Sequence, residues 1–123
     1  MKQGWLTKMG NNVIKDWKKR WVIMKSDKLE YYRNKLDATP AGSISLVSSH
    51  VNTSPIRQFC MEIITPTRSY WFAGENQPEI TDWINSIIAT TARLMESFIE
   101  GVKQVPQPIP SKDVRFLYYF FLN

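Results

Sequence analysis

The sequence predicts a mainly β domain: a seven-stranded antiparallel, partly open barrel of two orthogonal sheets, capped at one end by a C-terminal amphipathic α-helix. Three observations predict this fold. Seven short segments carry β-favouring or alternating residues, and turn-forming residues separate most of them. After Pro78 the apolar residues recur at helical spacing instead. In the first three segments, one face changes from apolar to basic toward one end, as expected for a barrel with an open end.

Each element has its own sequence signal. The apolar residues after Pro78 recur three and four positions apart and predict a helix to about Met95 or slightly beyond it. Asn76 or Gln77 is the candidate N-cap, and we interpret Trp83 as a core residue of this helix. The seven predicted strands cover residues 2–9, 17–24, 29–33, 43–48, a short stretch near Val51, 59–65 and 69–73.

The alternation of side chains in the first three strands predicts where charge accumulates. Successive side chains of a strand point to opposite faces, so one face of each strand lines the barrel interior. The inward apolar residues are Leu6, Val22, Met24 and Leu29, and the inward cationic or phenolic residues are Lys8, Lys18, Arg20, Tyr31 and Arg33. The second group lies at the open end of the barrel, which we call the mouth, and converging cations there predict an anion-binding site.

Charge and residue inventory exclude several function classes. Ten of the sixteen Lys and Arg residues lie within residues 1–35, with three of the eleven acids. Such a basic region attracts the phosphates of lipid headgroups or nucleic acid. A single cysteine, Cys60, and a single histidine, His50, leave no disulfide, metal cluster or catalytic triad, so we predict no enzyme and no cofactor. The sequence has no apolar run of bilayer length and no signal peptide, which predicts a cytoplasmic protein.

Four sequence stretches resemble those of the pleckstrin homology (PH) domain family over roughly residues 2–95. The segment GWLTK at residues 4–8 resembles the family's opening K-x-G-x-L-x-K strand. The segment WKKRWVIM at residues 17–24 resembles its W-K-x-R-W-F-V-L strand, and LEYY at residues 29–32 resembles its third strand. Trp83 lies where the family has a nearly invariant helix tryptophan. The resemblance implies the PH fold and, in many members, phosphoinositide binding.

The resemblance also implies a headgroup site. Its members here are Lys8, Lys18, Arg20, Tyr31, Lys15 and Arg33. Lys8 and Arg20 are expected to bind the ring phosphates, Lys18 to support them, and the Tyr31 hydroxyl to donate to a phosphate. Lys15 is expected in the loop that faces the membrane. The chain departs from the family at residues 41–43, where several members carry a further basic residue, and Arg33 or Lys35 is the candidate that compensates.

These observations predict a module that binds phosphoinositide headgroups and anionic membrane surfaces and recruits a signalling protein peripherally to the membrane. The alternative is an adaptor of the same fold, whose partner is a small GTPase or an acidic peptide. Nucleic acid is not an expected partner, because the cations converge on a barrel mouth instead of forming a stripe with exposed aromatic residues. The predicted domain covers residues 1–100, and residues 101–123 form a Pro-containing linker with an apolar tail. The preferred phosphoinositide and the oligomeric state stay open.

Overall fold

The computed structural model describes residues 2–10 and 16–104. Within these residues seven strands precede one helix: β1 (Gln3–Met9), β2 (Trp17–Met24), β3 (Lys28–Tyr32), β4 (Gly42–Ser45), β5 (His50–Ser54), β6 (Cys60–Ile64), β7 (Ser69–Ala73) and α1 (Gln77–Gln104). No helix in these two ranges combines the length and the apolar character needed to cross a bilayer. The predicted apolar tail lies outside the described residues.

The strands form one antiparallel sheet in the order β4-β3-β2-β1-β7-β6-β5. β1 and β2 pair along seven residues, from Gln3 opposite Ile23 to Met9 opposite Trp17. β1 also pairs with β7, but over only two positions, Thr7 with Ala73 and Lys8 with Phe72. β4 and β5 remain as the two edges, so the sheet bends on itself without closing. The predicted partly open barrel is confirmed.

The core lies inside this bent sheet, on the face predicted from the alternation. Leu6, Val22 and Leu29 are buried there with Phe72 from β7. The helix contributes a stripe of three residues at spacings of three and four, Ile80, Trp83 and Ile87. Trp83 is 2% exposed, so the interpretation of this tryptophan as a core residue is confirmed.

The helix closes the barrel end opposite the mouth. Its Asn76 side chain accepts a hydrogen bond from the Glu79 backbone N–H at 2.9 Å, which makes Asn76 the N-cap. Further along, the Thr90 hydroxyl contacts the Met24 sulfur at 3.4 Å, and Arg93 donates to the Ser26 carbonyl at 2.8 Å. These contacts fix α1 to the end of β2 and to the turn after it. Within residues 2–10 and 16–104, no helix covers the other end of the barrel.

Several element boundaries differ from the predicted ones. β3 ends at Tyr32, one residue before Arg33, because a turn begins there, closed by the Asp37 backbone N–H donating to the Asn34 carbonyl at 3.2 Å. The helix continues to Gln104, beyond the predicted end at about Met95 or slightly past it. Gly101 lies within the last turn of this helix. The helix can continue through it because a helical glycine costs only about 1 kcal/mol relative to alanine.

Two neighbouring isoleucines of α1 test whether the helix packs against the barrel end opposite the mouth. Ile87 is completely buried, whereas Ile88 is 49% exposed. Ile87→Ala is expected to lower the free energy of unfolding by about 2–5 kcal/mol, because it leaves a cavity against the sheet. Ile88→Ala removes the same atoms from a half-exposed position and should cost less than about 1 kcal/mol. Urea denaturation measures both, and equal losses would contradict the placement of the helix.

Candidate anion-binding site

The mouth is organised around Lys8, which lies near the end of β1. Leu6, two residues earlier on the same face, is buried in the core. Lys8 is itself only 7% exposed, and its ammonium group lies 3.3 Å from the Met9 carbonyl oxygen. A lysine ammonium at this depth loses much of its hydration, so neighbouring groups have to replace the lost water.

Two phenol rings flank the Lys8 ammonium group. Its Nζ lies 4.8 Å from the centre of the Tyr31 ring and 5.7 Å from the centre of the Tyr70 ring. Both distances are in the range where a cation is attracted to the face of an aromatic ring. Tyr31 comes from β3 and Tyr70 from β7, so opposite flanks of the barrel contribute to this contact.

Two guanidinium groups add positive charge to the same region. Burial is the main factor that lowers the pKa of Lys8, and the positive charges of Arg68 and Arg20 lower it further. Burial also raises the pKa of Tyr31, with a contribution from Tyr70 that the charges of Arg68 and Arg20 oppose. The phenol therefore stays protonated at neutral pH and can donate a hydrogen bond. Lys8 and Arg20 form no ion pair with a carboxylate among residues 2–10 and 16–104.

Arg68 is held in place by the turn between β6 and β7. The Thr65 hydroxyl accepts hydrogen bonds from the backbone N–H groups of Thr67 and Arg68, at 3.3 and 3.1 Å. The same hydroxyl donates to the Arg68 carbonyl oxygen at 2.8 Å. The Arg68 guanidinium then stacks on the ring of Tyr70, 4.2 Å from its centre. The fixed turn thus brings a planar cation to the side of the mouth opposite β3.

A sequence model of the PH domain family matches residues 1–92. The chain belongs to the PH domain family. PH domains are non-catalytic modules, and this PH domain carries the fold that the sequence resemblance implied.

Similarity to individual proteins supports the same conclusion. The PH domain is 38% identical over 89 residues to a RAC family serine/threonine-protein kinase homolog of Dictyostelium discoideum, a match that covers 70% of this chain and 20% of the relative. It is 33% identical over 95 residues to pleckstrin homology domain-containing protein 1 of Arabidopsis thaliana, covering 70% of this chain and 65% of the relative. The chain thus spans about a fifth of the first relative's length.

Solved PH domains have a similar fold. The C-terminal PH domain of pleckstrin, in complex with D-myo-Ins(1,2,3,4,5)P5, has a TM-score of 0.67 and 32% identity. The match covers 74% of this chain and 97% of the pleckstrin domain. This relative binds an inositol polyphosphate.

The residues predicted for the site lie at different distances from the centre of the mouth. Lys8, Arg20 and Tyr31 lie together there, as the shared effects on the pKa values of Lys8 and Tyr31 show. Lys18 lies opposite Lys8 in the β1–β2 ladder, but its side chain is exposed and forms an ion pair of 3.5 Å with Asp16. Arg33 is exposed beyond the end of β3. Lys15 lies outside the described residues.

The sequence reasoning missed Arg68 and Tyr70. The signal for Tyr70 is in the sequence, because Tyr70 and Phe72 have the same parity in β7 and Phe72 is a core residue. Arg68 precedes that strand, in the β6–β7 turn, where strand alternation does not apply. The pairing of Lys8 with Phe72 is what brings this turn to the mouth, and no local pattern predicts that pairing.

The lowered pKa of Lys8 predicts that this residue destabilises the folded PH domain. Lys8→Met keeps an apolar stem but removes a buried charge that Arg68 and Arg20 repel. We expect the thermal midpoint to rise by about 2–5 °C, the scale that a change of about 1 kcal/mol produces in a domain of this size. The control Lys28→Met, at an exposed residue of β3 away from the mouth, should change the midpoint by less than about 1 °C.

The pH dependence of folding stability tests whether the charge of Lys8 is the cause of the destabilisation. Because the folded state lowers the pKa of Lys8, the unfolded chain binds more protons at this residue, and stability rises as the pH increases from the folded-state pKa toward about 10.4. The advantage of Lys8→Met over the wild type should therefore shrink in that window. An advantage independent of pH, or a destabilised variant, would contradict this account.

Proposed function

We propose that this PH domain binds phosphoinositide headgroups at the mouth and recruits its chain to anionic membrane surfaces. One observation carries the proposal: the charges of Arg20 and Arg68, from separate elements, both act on the buried Lys8 ammonium group, and Lys8 and Arg68 lie against the same Tyr70 ring. In the absence of an anion these neighbouring charges disfavour the protonated form of Lys8. A headgroup with adjacent phosphates removes that repulsion and accepts charge-assisted hydrogen bonds from the same groups.

The solved relatives support this chemistry. The pleckstrin domain with 32% identity binds an inositol pentakisphosphate, whose adjacent ring phosphates have the same character as a phosphoinositide headgroup. In other relatives the matched region is part of a longer protein, as in the kinase homolog of Dictyostelium discoideum and in Cytohesin-4 of Mus musculus. We propose accordingly that this PH domain is a non-catalytic targeting module of a cytoplasmic signalling protein. Surface cations around the mouth would add nonspecific attraction of about 1 kcal/mol each.

Vesicle co-sedimentation at about 0.15 M salt, where the Debye length is about 8 Å, tests the proposal. Vesicles containing one phosphoinositide each are compared with phosphatidylserine vesicles of equal charge. Wild type is expected to prefer a phosphoinositide, and Arg20→Ala to weaken that binding roughly tenfold or more, because a charge-assisted contact to a phosphate is lost. Lys28→Ala removes the same charge from an exposed residue away from the mouth and should weaken binding by less than about twofold.

The possible outcomes separate the hypotheses. Preference for a phosphoinositide that Arg20→Ala removes supports the proposal. Equal binding to both kinds of vesicle, with Arg20→Ala and Lys28→Ala alike, would contradict a specific site. If no vesicle binds, the alternative of an adaptor with a protein partner replaces the proposal.

Arg68 provides an independent test, because the sequence pattern did not point to it. Arg68→Ala is expected to reduce the affinity for a soluble inositol polyphosphate roughly tenfold, as for Arg20→Ala. Arg68→Lys should lose less, because it keeps the charge but not the planar stacking on Tyr70. Isothermal titration calorimetry measures both variants. Wild-type affinity in Arg68→Ala would remove the β6–β7 turn from the site.

A further inference from the structure

Gly42, at the start of β4, lies directly opposite Tyr31 in the β3–β4 ladder. A β-carbon built on Gly42 would overlap the Tyr31 phenol at the hydroxyl and at two ring carbons. The phenol ring therefore lies across the α-carbon of Gly42. The described glycines all have negative φ angles, so this glycine is required by the close approach of a side chain and not by its backbone conformation.

Two further contacts hold the Tyr31 ring in this position. The ring of Phe72 meets it edge to face, with 6.2 Å between the ring centres. The Lys8 ammonium group lies 4.8 Å from the Tyr31 ring centre. Tyr31 and Gly42 together form one flank of the mouth, which we call the phenol wall.

The cations of the mouth are distributed unevenly around the phenol wall. The positive charges that act on Lys8 and on Tyr31 are those of Arg20 and Arg68, from β2 and from the β6–β7 turn. Lys35, in the loop after β3, is turned away, with its Nζ 4.8 Å from the ring of Trp21. Arg33, which follows the last residue of β3, is exposed to solvent. Within the described residues, the β3–β4 flank thus offers a ligand a phenol hydroxyl in place of a cation.

We propose that Gly42 is a positioning residue and that, through Tyr31, it restricts recognition at this site to two adjacent ring phosphates, so that a third phosphate is tolerated but adds little affinity. Because Gly42 has no side chain, the uncharged Tyr31 ring can lie across β4 and fill the β3–β4 flank of the mouth. The phosphates then bind to Lys8, Arg20 and Arg68. A third ring phosphate finds no cation on the β3–β4 flank and adds little affinity. This inference rests on the proposed function, and it adds the class of headgroup and the residue that sets it.

Calorimetry with three soluble headgroups tests the class of ligand on the wild-type protein. Ins(1,4,5)P3 and Ins(1,3,4)P3 carry two adjacent phosphates besides the one on position 1, and Ins(1,3,4,5)P4 carries three. The tetrakisphosphate is expected to bind within about threefold of the better trisphosphate, because no further charge-assisted contact forms. An advantage of roughly tenfold or more would overturn the inference and leave the proposed function intact. Failure of all three to bind would overturn both.

A double-mutant cycle tests whether Gly42 acts through Tyr31. Gly42→Ala is expected to weaken trisphosphate binding by about threefold or more when Tyr31 is present, and to have no effect in a Tyr31→Ala background. An equal loss in both backgrounds would show a merely structural role and overturn the assignment. Circular dichroism confirms folding of each variant.

A gain-of-function variant covers the case in which Gly42→Ala does not fold. Tyr31→Ala combined with Gly42→Lys removes the wall and places a cation on the β3–β4 flank. The third phosphate should then add roughly tenfold in affinity. The control Arg33→Ala should leave the wild-type ratio unchanged, and a changed ratio there would assign the selectivity to Arg33 instead.

Discussion

The pairing of β1 with β7 is the contact on which the rest of this structure depends. It covers only two positions, yet it joins the β4-β3-β2-β1 half of the sheet to the β7-β6-β5 half. Because Lys8 is one of the two residues, the same contact places its ammonium group beside Tyr70 and close to the turn that carries Arg68. The connection that bends the sheet into a barrel therefore also assembles the mouth.

The two ends of the barrel make opposite contributions to stability. At the plugged end Trp83 and Ile87 complete an apolar core, and burial of such side chains is the main favourable term in folding. At the mouth, burial and neighbouring charges oppose the protonated form of Lys8. The stability lost at the mouth is compensated by the apolar core at the other end, and under the proposed function a bound anion would recover part of it.

The alternation of side chains in the first and third strands predicted two residues of the candidate site. Lys8 and Tyr31 follow from alternation with Leu6 and Leu29, because β1 and β3 are regular up to those positions. Arg33 has the same parity in the sequence as Leu29 and Tyr31. The strand ends at Tyr32, however, so alternation no longer determines where the Arg33 side chain points. Arg68 was not predictable in this way, because its approach to Lys8 depends on contacts between residues far apart in the sequence.

The sequence by itself determined the elements, the face of each strand that is buried, the helix that fills one barrel end, and the membership of the PH family. Two-residue and 3.6-residue periodicities are local, and burial of one face is enough to select them. The tertiary structure alone decided that the β6–β7 turn joins the mouth and that Tyr31 lies across Gly42. These features depend on how strands from opposite ends of the chain pair and how closely their side chains approach, which no local pattern encodes.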